Sequence, residues 1–173
     1  EAPFKRAFSN GDDERQAFFA NEQIVFDAAI SNALSKNDNR KAFEFAELSK
    51  ARSLLDFVKS NKSIAEVEKD FSAVAKPLTL VEIQAQMPEN VQIVKYAVLE
   101  NKLTIWTVGK DKFEFAEKPI SAAELEKKIS DFRLEILAKK TKENLAEKSR
   151  ELYEILIPKN LDGGKTICLI PDK

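Results

Sequence analysis

Residues 91–117, VQIVKYAVLENKLTIWTVGKDKFEFAE, decide how the rest of the chain must be arranged. They read as three short strands in a meander. Val91 to Leu99 and Leu103 to Val108 are rich in β-branched and aromatic residues, with Glu100-Asn101-Lys102 as the turn between them. Both strands are apolar on both faces. Val94, Tyr96 and Val98 oppose Ile93, Ala97 and Leu99, and Trp106 and Val108 oppose Leu103 and Ile105. Strands of that kind belong inside a layered sheet with cover on each side. The third strand differs. Phe113 and Phe115 alternate with Glu114 after the Gly109-Lys110-Asp111-Lys112 turn, which predicts an edge strand with one wet face. The meander therefore demands helices around it and more sheet beside it.

Composition narrows the chemistry. The 173 residues are 43% hydrophobic, enough for a real core in one or two small domains. Four glycines and six prolines argue against low complexity. Net charge is −1 with cations interspersed among anions, so there is no basic stripe for nucleic acid. No apolar run reaches membrane-spanning length, and residues 1–20 lack the layout of a signal peptide. There is no histidine, and Cys168 is the one cysteine. Within this chain that excludes Cys-His dyads, Ser-His-Asp triads, Cys/His zinc sites and an internal disulfide. No cofactor or metal is expected. The one methionine is Met87, so residue 1 is not a translation start, and the expectation is a chain that begins inside a larger polypeptide or after processing.

Ahead of the meander the pattern is helical. A long helix is expected from about Asp13 to Lys36, with Phe18, Val25, Ala29 and Leu34 near one side. Asn37-Asp38-Asn39 forms the turn, and Asn39 or Asp38 can cap the helix that follows. That helix, KAFEFAELSKARSLLDFVKS, carries the small residues Ala42, Ala46, Ser49 and Ser53 on one stripe, where another helix can approach closely. Phe45, Leu48, Leu55 and Val58 supply larger packing groups. Such a pair is either one tetratricopeptide (TPR) unit or an ordinary helical hairpin. Residues 61–77, weakly amphipathic through Ile64, Val67 and Phe71, read as a helical linker ending at Pro77.

Two capping boxes punctuate the second half. Thr79-x-x-Glu82, with Leu78 and Ile83 as its staple, opens a short helix that Pro88 stops. Ser121-x-x-Glu124, with Ile120 and Leu125, opens a helix whose apolar face is Leu125, Ile129, Phe132 and Ile136. A break near Thr141 leads to a second helix carrying Leu145, Leu152, Ile155 and Leu156, ended by Pro158. Gly163-Gly164 then turns into KTICLIP, an apolar strand expected to be buried and parallel to a strand of the meander.

Three stretches resemble a known family in order as well as in sequence. AFEFAELSKARSLLDF resembles the last TPR helix before a CHAT domain, where A-x-E-x-A-E-x-S-(K/R)-A-R-x-L-L-D is usual. PLTLVEIQAQMPENVQIVKYAVLENKLTIWTV resembles the opening of the CHAT domain, and LYEILIP with KTICLIPDK resembles the helix and P-D strand that come next. The resemblance covers about residues 14–173. It implies an α/β fold: a TPR-like helical hairpin over 1–60, a linker over 61–77, and over 78–173 the N-terminal part of a caspase-like domain, made of a three-strand meander, two helices and a further parallel strand. It also implies a parent protein of the cysteine peptidase type, with a partner protein on the TPR-like helices. The family's catalytic His and Cys follow later strands and match no position here. The chain alone is expected to be an inactive structural and regulatory piece; the alternative is a non-catalytic protein-interaction module.

Individual residues fit that expectation. Cys168, between Ile167 and Leu169, is expected to be a buried neutral thiol and not a nucleophile. Arg52 suits a helical pair with Asp56 better than recognition of a partner. Trp106 and Tyr96 suit a core better than a ligand groove, and the run 139–150 (KKTKENLAEKSR) suits a solvated helix face. No catalytic, cofactor-binding or metal-binding residue is assigned. The rest of a CHAT domain would cover the last strand. Without it the chain is expected to self-associate near residues 166–170 or by exchanging its hairpin.

Overall fold

The computed structural model describes residues 23–60, 77–138 and 142–172, with the side chains of 53–60 and 142–144 outside that description. The roles expected of Phe18, Ser53, Leu55 and Val58, and of Ile64, Val67 and Phe71 in the linker, fall outside the described residues. The fold is mixed α/β and divides into two compact units between Leu80 and Val81.

In the first unit, helix α1 runs through residues 23–35 and α2 spans Asn39–Ser60. A tight reversal joins them. Asn37 takes a left-handed backbone, φ 57°, and the Asp38 N–H donates to Ala33 C=O while the Asn37 N–H donates to Leu34 C=O. This is the Schellman pattern, in which asparagine tolerates the position glycine usually fills. Asp38 then caps α2, its carboxylate accepting from the Lys41 N–H at 2.9 Å. Ala42, Ala46 and Ser49 are buried as the small-residue stripe predicts, and the Ser49 hydroxyl donates to Gln23 on α1. The larger groups differ from expectation. Phe43 is buried, whereas Leu48 is exposed and Phe45 lies half-buried beneath the Lys41 ammonium. On α1 the inward residues are Ile30, Ala33 and Leu34, while Val25 is 66% exposed. The stripe of α1 is thus rotated from the predicted one, because spacing alone leaves two adjacent apolar stripes open on a helix this rich in alanine and isoleucine.

The second unit takes up α3 (Leu80–Gln86) from its second residue, followed by strands β1 (Val91–Val98), β2 (Leu103–Val108) and β3 (Phe113–Lys118). Helices α4 (Ala122–Leu137) and α5 (Lys142–Leu156) lead to β4 (Thr166–Ile170). The sheet order is β3-β2-β1-β4, with β1 antiparallel to β2 and parallel to β4. The meander is as predicted. Leu99 N–H donates to Lys102 C=O across the first turn, and Gly109 and Lys112 exchange backbone hydrogen bonds across the second. Gln84 of α3 donates its amide to both Gly109 and Lys112 carbonyls, fastening that helix to the turn. β3 is an edge strand, with Phe115 tilted against Trp106 at 5.8 Å between ring centres.

The core lies between the sheet and the crossover helices. Val94, Tyr96, Leu103 and Ile105 share one face and pack with Ile120 and Leu125 at the start of α4 and with Ile155 and Leu156 at the end of α5. Ser121 caps α4 by accepting from the Glu124 N–H, and the staple residues Ile120 and Leu125 meet in the core as the sequence predicts. The remaining apolar face of α4 does not reach the core. Ile129 and Ile136 are exposed and Phe132 is half-buried; along this part of the pair Leu152 of α5 is buried, and the ion pairs Lys128–Glu151 and Lys148–Glu135 link the two helices.

Two outcomes follow. Ala46→Leu places extra carbons in a buried position and should destabilise the protein by about 1–3 kcal/mol, read from urea unfolding. Burial pushes the Tyr96 phenol above its ordinary value. An acid raised in this way deprotonates first in the unfolded chain. Its contribution is therefore intact below about pH 10 and is lost as pH rises through the higher folded-state value. Above about pH 10, urea midpoints should fall more steeply for the parent than for Tyr96→Phe.

Candidate functional site: the free edge of β4

The feature of the second unit with the most chemistry left open is β4. Its sequence, TICLI, is that of a strand buried on both sides, yet the strand stands at the end of the sheet and four of its five residues are exposed. Cys168 is exposed as well, contrary to the buried thiol expected from its neighbours. The physical reason is topological. Burial of an apolar strand requires cover on both faces as well as a neighbour on each edge; among the described residues β4 pairs with β1 alone, and Cys168 lies on the sheet face opposite the core that α4 and α5 cover.

Side-chain anchors hold β4 in this position. The Gln92 side chain, itself buried, donates to Asp162 C=O at 2.8 Å and fixes the turn that enters β4. The Tyr96 hydroxyl donates to Leu156 C=O at 2.8 Å and fixes the end of α5. Beyond the strand, the Asp172 carboxylate accepts from the Val98 N–H at 2.8 Å, so a side chain takes over the hydrogen bonding where the ladder stops. The P-D ending singled out in the sequence is thus a brace across β1 and β4.

The ladder also fixes what faces outward. Thr166 N–H donates to Asn90 C=O, and Thr166 pairs with Val91. In a parallel ladder the residues alternate, so Thr166, Cys168 and Ile170 direct their peptide groups to β1. Ile167 and Leu169 direct theirs to the outer edge. Their side chains, 41% and 53% exposed, form one wall of an apolar groove of about 570 Å³ whose other wall is Tyr153, Ile157, Pro158 and Leu161. An open row of peptide groups beside an apolar groove has the geometry for strand addition, in which the backbone supplies hydrogen bonds and the groove takes alternate side chains.

The other sequence candidates fall elsewhere. Trp106 and Tyr96 are buried core residues on opposite faces of the sheet. Arg52 is exposed and engaged, while the side chain of Asp56, its expected partner, lies outside the described residues. The described part of the 139–150 run forms the first half of α5, with Lys148 paired to Glu135. Lys95 was not singled out from the sequence. It is wholly buried on the Trp106 face, opposite Trp106 on β2 and Ile170 on β4, and is engaged there. A lysine in mid-strand, in VKYAV, was the available signal. Among the described residues no three His, Cys, Asp or Glu side chains are grouped to hold a metal ion, and no helix is long and apolar enough to cross a membrane.

Exposure changes what Cys168 should do. In the native monomer, at high dilution, it should react with a small maleimide within a few-fold of its rate in denaturant, followed by mass spectrometry; strong protection of the monomer would show the thiol to be covered within the chain itself. Comparison with protein-family models and with curated proteins returned no match for this chain.

Proposed function

We propose that this chain is a scaffold and docking module of the TPR-CHAT type, in which the caspase-like sheet accepts an extended protein segment along β4. The observation that carries the docking role is the outward pair Ile167 and Leu169, open in their peptide groups and side chains alike. The resemblance of AFEFAELSKARSLLDF and KTICLIPDK to the flanks of a CHAT opening supports the family reading, and the helical hairpin ahead of an α/β unit is in keeping with it. In this reading the hairpin engages a protein partner and the parent protein is of the cysteine peptidase type. Catalysis is not assigned to this chain, whose one thiol has no histidine to serve as its base.

The non-catalytic interaction module is the second reading, and the same edge favours it, since strand addition needs no chemistry at all. Hydrogen exchange tests the docking role in both. In the monomeric chain the Ile167 and Leu169 amides should exchange far faster than those of Thr166 and Cys168, which are bonded to β1. Equal protection at all four positions would mean that the edge is closed and the docking reading is wrong.

A further inference from the structure

The outer edge of β4 is self-complementary in one register, and we infer that its partner is a second copy of this chain, paired antiparallel about a two-fold axis through Cys168. The inference rests on the docking reading and names its occupant. Outward peptide groups on this strand belong to the odd-numbered residues. At one end, the Lys165 N–H is already donated to Asp162 C=O. At the other, Pro171 has no N–H to give. Only Ile167 and Leu169 therefore retain both a donor and an acceptor.

Registers can be compared on that basis. If Ile167 met its own counterpart, Leu169 would face Lys165, whose N–H is engaged. If Leu169 met its own counterpart, Ile167 would face Pro171. When Ile167 of one copy meets Leu169 of the other, each exchanges both its N–H and its C=O, and the two-fold repeats the exchange. No outward donor is left over. Charge favours the same sense: the strand is bracketed by Lys165 and Asp172, so antiparallel pairing brings the cation of one copy to the anion end of the other. Parallel pairing would set like charges side by side. The two half-exposed side chains, Ile167 and Leu169, also become cross-strand neighbours on the groove side.

This register has a chemical signature. Cys168 faces Cys168 of the second copy in a pair without backbone hydrogen bonds, where Cα atoms approach to about 4.5 Å. That is inside the range a disulfide spans.

The test uses the full chain. Sedimentation across a dilution series should show a species of twice the 19.5 kDa chain mass. Diamide should link Cys168 to Cys168: two thiols give up two protons and two electrons, and the azo reagent is reduced to the hydrazine. Linkage should be on the order of a hundredfold faster than in Ile167→Pro at micromolar concentration, because pairing raises the local thiol concentration toward millimolar. Proline at 167 removes an outward N–H and spares the ladder to β1. Leu169→Lys, which leaves the backbone untouched, should have the same effect, with an unfolding midpoint equal to the parent's at dilutions where both are monomeric. A chain that stays monomeric at all concentrations, or a dimer that neither cross-links nor responds to these substitutions, overturns the inference. Fast Ile167 and Leu169 exchange in such a monomer would leave the docking reading standing with another partner; slow exchange would remove both.

Discussion

β1 has neighbours that arrive from opposite directions, and this requirement organises the second unit. Its antiparallel partner is β2, reached by a tight turn. Its parallel partner has to enter from the same end, which a tight turn cannot achieve, so the chain crosses through α4 and α5 before delivering β4. Closing so long an excursion costs entropy, and β1 offsets that cost along its own length. Gln92 holds the entry to β4, Tyr96 holds the end of α5, and the Val98 N–H receives Asp172. The alternation of a strand sends Gln92 and Tyr96 to the same face, so the crossover is fastened where the core is packed.

The two edges of the sheet are treated differently. β3 carries Glu114, Glu117 and Lys118, with Lys102 paired to Glu117 and Lys112 to Glu114, the charged dressing that discourages strand addition. β4 carries no charge between Thr166 and Ile170. The contrast is between an edge whose charges discourage other chains and one left uncharged and open, and the proposed docking rests on the second.

Much of this was legible because it depends on local chemistry. Ser121 with Glu124, Asp38 ahead of α2, and the turns at Glu100 and Gly109 satisfy backbone groups within a few residues, so their patterns act wherever they occur. What depends on distant neighbours was not legible. KTICLIP reads the same whether its second edge is filled or open, so the exposure of Cys168 could not be foreseen. The apolar face of α4 is regular through Ile136, but whether anything lies beneath its later turns depends on the extent of the sheet. Phe43 and Phe45 differ by two positions on one helix, and burial of the first follows from how that helix is rotated, which its mixed pattern does not determine. Lys95 shows the converse, a charge accepted in the interior because it is engaged there.

The parallel pairing of β1 and β4 also has a mechanical meaning. Tension applied through the backbone at Val91 and at Asp172 pulls the start of one strand against the end of the other. The two strands are then asked to slide along their length, and the hydrogen bonds from Thr166 to Ile170 bear the load together with the Asp172 brace. An antiparallel hairpin pulled at its open end yields one bond after another. Here β2, β3 and both crossover helices lie between the loaded points in sequence and outside the line of force, sheltered for as long as that short shear joint holds. Under such a load the β1–β4 joint is the fuse, and it yields with a sharp threshold because its hydrogen bonds are strained together.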